Sequence, residues 1–269
     1  MSRSIRWSGR NSSPARDRFY NHENKKMNNE SSTEELLQEI QRLWSSSYHG
    51  ILSTHSLKFP GYPFGSLLPF CRDTKGNLLL LISHLAQHTR NLEGNPSCSL
   101  TLIEQGSGDV QQLARLTCLS QVEAVNSTAS AERYFRFYPE TRRYQKELNF
   151  RFYRLQIEHF YFIGGFGSAR WIDPGRIPLP TPFSTADEAE ILFQLNAHDR
   201  DLLNHLLNGM GMPGNSPAEA VGADPKGLDI RVGGDLKRLQ LNHSQDDKRA
   251  FLARIAEISK QSSPDISSR

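Results

Sequence analysis

Nine consecutive residues, SHLAQHTRN from Ser83 to Asn91, hold two histidines, a threonine, an arginine and an asparagine. An apolar run ends at Ser83, a turn follows, and a short helix is predicted over Ala86–Leu92, stopped by Gly94 and Pro96. The N–H groups at such a helix start, the hydroxyls of Ser83 and Thr89, and the Arg90 guanidinium are groups that receive a phosphate or carboxylate. His88 and Asn91 add an imidazole and an amide. A surface helix with its polar side in water accounts for the same residues, and periodicity does not separate the two.

Two glycine-containing stretches offer further candidates. In GYPFGSLLPF, the pair Gly65-Ser66 enters a strand where a flat ligand could approach the main chain, although a plain turn fits as well. GGFGSARWI, Gly164 to Ile172, lacks the GxGxxG spacing and any following helix, which excludes a Rossmann reading. Its Arg170 and Trp171 fit a ligand-contact loop or a connection between domains. No HExxH occurs among the nine histidines, and His198 and His205, seven apart, share a helix face more simply as surface residues. His243 stands just before the last helix. Cys71, Cys98 and Cys118 are odd in number, have no CxxC spacing and lie in apolar strand-like runs, so buried reduced thiols are expected.

These residues need a frame, and the pattern around them supplies one. Ser32 and Glu35 form a capping box before Leu36, Leu37, Ile40, Leu43 and Trp44 at helical spacing. Short strand-like runs follow: GILSTHS, GSLLPFC, NLLLLIS, CSLTLIE and RLTCLSQVEAV, separated by turn signals. Such spacing argues an antiparallel barrel or sandwich rather than a parallel sheet. A helix is predicted from about Ala129 to Tyr138, stopped by Pro139, and two more strands within FRFYRLQIEHFYFIGG. The proline-rich DPGRIPLPTPFS then reads as a stiff linker. Beyond it come one long helix over Ala186–Asn208, a hairpin GLDIRV–GGD–LKRLQL, and a last helix capped by Ser244 with Ala250, Phe251, Ile255 and Ile258 inward.

Composition narrows the function classes. The formal charge of +3 is concentrated in residues 1–27, where seven Lys/Arg face two carboxylates, leaving the remainder near −2. The folded part is therefore not a basic nucleic-acid binder, and residues 1–30 read as a disordered basic tail. No run of about 18 apolar residues is present, and the N-terminal segment has no apolar signal-peptide core, so no membrane association and a cytoplasmic location are expected. The predicted organisation is a barrel domain over 31–172, a linker over 173–185, a C-terminal α/β domain over 186–260 and a short tail over 261–269.

Taken together, STHSLKFPGYPFGSLLPF, LISHLAQHTRNLEGNPSCSLTL, AERYFRFYPE and FIGGFGSARWI resemble the split β-barrel proteins related to pyridoxamine 5′-phosphate oxidase. HTRNL with PGYPFGS upstream is most similar to the HugZ/HutZ-type haem utilisation branch. The resemblance covers roughly residues 34–258. It implies an α+β fold: an antiparallel FMN-binding-like split barrel followed by a small α-β-β-α unit. It also implies a homodimer with haem, or alternatively FMN, in an interface cleft. The implied activity is oxidative opening of haem to biliverdin with iron release; an FMN-dependent oxidoreductase and a non-enzymatic haem or flavin carrier are the alternatives. The implied cofactor-binding set is Gly65, Ser66, Ser83, His88, Thr89, Arg90, Asn91, Arg170 and Trp171. HugZ-type relatives place an axial histidine at the extreme C-terminus; KQSSPDISSR has none, which leaves His243 as the candidate for iron. Relatives also read Asn-Ser-Asp-His where this chain has Asn196-Ala197-His198-Asp199.

Overall fold

The computed structural model describes residues 33–164, 169–197, 200–212 and 217–261. The expected tail over 1–30, Ser32, His198 and residues 262–269 lie outside these residues, while Gln261 belongs to a helix. The chain parts into two units, Met1–Glu39 and Ile40–Arg269. Among the described residues, the first holds the opening turns of helix α1 (33–46).

Eight strands form one curled antiparallel sheet in the order β2-β1-β5-β6-β7-β4-β3, with β8 added along β7. They are β1 His49–His55, β2 Pro63–Pro69, β3 Cys71–Arg72, β4 Leu78–Ser83, β5 Ser97–Ile103, β6 Arg115–Val125, β7 Phe150–Ile163 and β8 Ala169–Ile172. Buried and open positions alternate along β1 and β5, as a half-barrel with one packed face requires. Leu52, Leu100, Leu116, Cys118, Leu155, Phe160 and Phe162 are fully buried, and Trp44 of α1 packs edge-on against Phe160 at 5.8 Å. β4, in contrast, is buried on both faces. Leu79 and Leu81 pack with Tyr134, Phe135 and Phe137 of helix α3 (Thr128–Phe137), so the strand reads as an unbroken leucine run.

The two strands expected within FRFYRLQIEHFYFIGG are one 14-residue strand, β7. Its register against β6 shifts between Leu119 and Ser120: His159 faces Leu119, Ile157 faces Ser120, and Glu158 has no partner. This bulge reverses the alternation. Tyr153 and Leu155 point inward before it, Phe160 and Phe162 after it. α3 ends ahead of Pro139, as expected, with Tyr138 as its C-cap, and a short 3₁₀ turn and helix α4 (Arg142–Glu147) follow.

The C-terminal part holds a three-stranded antiparallel sheet, β9 Ala218–Asp224, β10 Gly227–Val232 and β11 Asp235–Gln240. It is flanked by α5 Thr185–Ala197, α6 Arg200–Gly209 and α7 Lys248–Gln261. The expected hairpin is β10–β11, closed by Gly233-Gly234 with Gly233 at φ +60°. β9 is a strand beyond that hairpin, and the segment read as one helix carries two, α5 and α6. Asp247, not Ser244, caps α7 by accepting the Ala250 N–H at 2.9 Å. Ala250 is exposed, whereas Phe251 and Ile255 are buried. The proline-rich segment is packed rather than free: Ile177 and Phe183 are buried, the latter against Phe251.

A buried charge network joins barrel to C-terminal sheet. Tyr48 donates to Asp229 at 2.8 Å, and Asp229 also receives Arg238 at 3.0 Å and Arg72 at 3.4 Å. Arg238 reaches Asp224 at 2.7 Å. Glu188 of α5 pairs with both Arg133 and Arg136 of α3. Burial alone would raise the Asp229 pKa, but Arg238 and Arg72 override it and hold the carboxyl below its ordinary value. Gly222 lies in the middle of this seam because a Cβ there would stand 2.6 Å from the Phe137 ring and 2.9 Å from Asp229 Oδ2.

Candidate functional site

The corner read from the sequence is built where β4 gives way to helix α2, Gln87–Gly94. Ala86 is the N-cap and brings no side-chain acceptor, so the first-turn N–H groups are left without a side-chain cap. The Thr89 hydroxyl donates to the Ser83 carbonyl at 2.6 Å, and Ser83 Oγ accepts from the Leu85 N–H at 3.2 Å. These bonds fix the helix start against the strand end. His84 Nδ1 lies 3.2 Å from the Asn149 carbonyl, opposite the start of β7. The Arg90 side chain is exposed.

His88 turns the other way. Its Nδ1 lies 3.2 Å from Ser66 Oγ, while Nε2 is enclosed without a hydrogen-bond partner. Burial lowers the imidazole pKa, so the ring is held neutral. Ser66 pairs in register with buried Leu52, which puts this contact on the inner side of β2. Asn91 is fully buried and spends its amide inside the protein: Oδ1 accepts from Leu57 N–H (3.1 Å) and Gln87 Nε2 (2.9 Å), and Nδ2 donates to Thr54 Oγ1 (2.9 Å). It fastens α2 to the end of β1. Gly65 lies on the outer side opposite Ser53, where a Cβ would meet only Ile51 at an ordinary 3.7 Å.

Arg170 and Trp171, read as part of a loop, lie on strand β8. Trp171 pairs with Tyr161, whereas Ser83 pairs with Phe150, eleven residues earlier on the same strand. At about 3.3 Å per residue that is roughly 35 Å along β7, so one chain does not bring Trp171 to the Ser83 corner. His243 is exposed on a segment held to the β9–β10 turn, where Gln245 N–H donates to the Pro225 carbonyl. No cluster of three metal-ligating side chains occurs among the described residues.

A second surface emerges only from the register. Leu67, Ile51, Thr101, Thr117, Tyr161 and Trp171 form one cross-strand row over six strands on the open side of the sheet. Leu67 is 70% exposed, Trp171 64% and Ile51 40%. Trp171 packs against Tyr161 at 4.8 Å and stands edge-on to His159 at 6.5 Å. Beside this row lies a cleft of about 460 Å³ lined by His55, Tyr62, Ser99, Gln121 and Glu158 among others. His55 and His159 are exposed on this side. No local motif marks them; strand parity corrected for the β7 bulge would have found both. The three cysteines are buried and free, and burial pushes the Cys71 and Cys98 thiols up to about 12.

With this geometry in place, the comparisons with known proteins are informative. The chain is 44% identical over 66 residues to the "Non-canonical heme oxygenase HOZ, chloroplastic" of Arabidopsis thaliana, covering 24% of this chain and 21% of the plant protein. It is 32% identical over 117 residues to "Heme oxygenase HutZ" of Vibrio cholerae, covering 40% of this chain and 66% of that protein. The chain thus spans about a fifth of the first relative and just under two thirds of the second. The crystal structure of Atu2129 from Agrobacterium tumefaciens superposes with a TM-score of 0.68 at 22% identity, over 83% of this chain and 94% of that one, which shows the shared fold. The family described as "CREG, beta-barrel" matches residues 38–176, just over half of the 269-residue sequence, and the chain belongs to that family.

Proposed function

We propose that this protein binds haem in the service of haem and iron utilisation, as a cytoplasmic homodimer, and that it degrades haem oxidatively to biliverdin. Two relatives named heme oxygenases support the ligand class. The observation that carries the reading is the exposed row ending in Trp171, with His159 beside it. Haem is a flat, largely apolar ring with two carboxylates and an iron that takes an imidazole. The residues present fit it. Trp171, Tyr161, Ile51 and Leu67 offer an apolar platform; His159 and His55 are open imidazoles on the same side; Arg170 and Arg90 are exposed guanidiniums suited to carboxylates. When bound, haem supplies both the redox iron and the ring that is oxidised. The chain's own part is to hold the ring, meet the propionates and exclude water.

A second copy completes the arrangement. The Ser83–Arg90 corner and Trp171 sit at opposite ends of β7, so a site using both draws one from each chain. The row that would be covered is apolar and open, as an isologous contact needs.

Hemin titration of the purified protein, followed by ascorbate, tests the proposal. A Soret band that decays on reduction with appearance of biliverdin absorption is expected. A Soret band that persists would sink the oxygenase activity and leave a carrier. No Soret band, or a bound flavin spectrum in the protein as purified, would sink the haem reading.

A further inference from the structure

A second cavity, of about 530 Å³, lies between the ends of β6 and β7 and helices α3 and α4, and shares no lining residue with the Ser83 corner or the outer row. Its two helical walls follow from spacing. Arg142, Gln145 and Lys146 stand at i, i+3 and i+4 on α4, which puts them on one face; Thr128, Glu132 and Phe135 do the same along α3. Phe135 and Phe152, both buried, with Ala131 and Phe150, form an apolar floor. The rim is cationic. Arg142 is held over the Phe135 ring at 4.5 Å by a two-pronged pair with Glu132 (2.9 and 2.7 Å). Lys146 lines the same cavity and makes no ion pair among the described residues. Arg151, between Phe150 and Phe152 on β7, alternates to the other face of the strand. One carboxylate therefore faces two cations, a net charge of +1 over an aromatic floor.

We infer that this cavity is a binding site for an organic anion with a flat apolar body and one acidic head group. The body rests on Phe135 and Phe152, and the head lies against Lys146. Arg142, already committed to Glu132 and Phe135, acts as a wall rather than as the anion's partner. The apolar floor would not by itself select an anion, and the two cations would not by themselves hold an apolar body; their conjunction specifies the ligand.

The test uses 8-anilinonaphthalene-1-sulfonate as the anionic probe and N-phenyl-1-naphthylamine as its uncharged counterpart, on the full chain. One sulfonate probe should bind per chain with enhanced fluorescence. The reversal Lys146→Glu should weaken it at least tenfold, while the uncharged probe changes little. Ala131→Trp, which fills the floor, should remove both. If the reversal does not fold, Lys146→Gln serves in its place and should show a smaller loss of the same sign. Unchanged sulfonate binding in the charge variants would place the probe elsewhere and overturn the site. Equal weakening of both probes would overturn its preference for anions.

Discussion

His88 Nδ1 lies 3.2 Å from Ser66 Oγ, while the Nε2 of the same ring is enclosed with nothing to bond. The helix that carries the proposed anion corner is thus tied to the inner side of β2 through an imidazole that has room for only one of its two polar atoms. Protonation would give that ring a second N–H with no acceptor.

Acid should therefore weaken the fold through His88. Its folded pKa lies below the ordinary value of 6.5 because burial disfavours the charged form. The unfolded chain binds a proton first, so stability is unaffected above about pH 6.5 and falls as pH drops from there through the folded pKa. Urea midpoints measured from pH 8 to 5 should show this slope, and His88→Gln should flatten it. An identical slope in the variant would assign the effect to another group.

Arg90 is exposed and next to the buried Asn91, so its removal should spare the fold. Arg90→Ala should weaken hemin binding roughly ten- to a hundredfold, the cost of about 1.5–3 kcal/mol for a charge-assisted hydrogen bond. Arg249→Ala, exposed on α7, is the control and should bind as the parent does. Equal affinity in all three proteins would remove the corner from the binding surface.

Much of this fold was legible because its signals are local. The strict alternation of β1 and β5, and the leucines of NLLLLIS, announced strands directly. AEAVGAD hid β9, since Gly222 is small to accommodate Phe137 and Asp229, and alanine and glycine carry little strand propensity. RRYQKE hid α4 because none of its residues is buried. Within the site, Ser83 to Asn91 could be read as a unit because it is contiguous. His55 and His159 could not, because their shared side depends on strand register and on one unpaired residue.

Asp229 is held by Arg238, Arg72 and Tyr48 at no exposure, so Asp229→Asn should cost about 3–5 kcal/mol by leaving buried guanidiniums uncompensated. Its folded pKa lies below 3.8. The carboxylate's contribution is therefore complete above that value and lost as pH falls through the folded pKa. The stability gap between parent and variant should be constant near neutrality and close below about pH 4. A gap that stays open in acid would mean the carboxylate's charge is not what the seam uses.

Leu67 is the most open residue of the outer row. Leu67→Asp should convert a dimer into a folded monomer, read as a halving of mass by light scattering with an unchanged circular dichroism spectrum. A parent protein that is already monomeric at micromolar concentration would sink the shared-cleft arrangement.

The unpaired Glu158 gives β7 the character of a phase shifter. On its N-terminal side odd-numbered residues point inward, and on its C-terminal side even-numbered ones do. Deleting this one residue would join Ile157 to His159 in plain alternation: Tyr153, Leu155, Phe160 and Phe162 would stay inward, His159 would stay beside Trp171, and only the bulge would be lost. A gap of one residue at this position in a relative is thus the loss of a bulge and not of a surface, whereas a gap elsewhere in β7 that leaves the bulge in place would turn one part of the strand over.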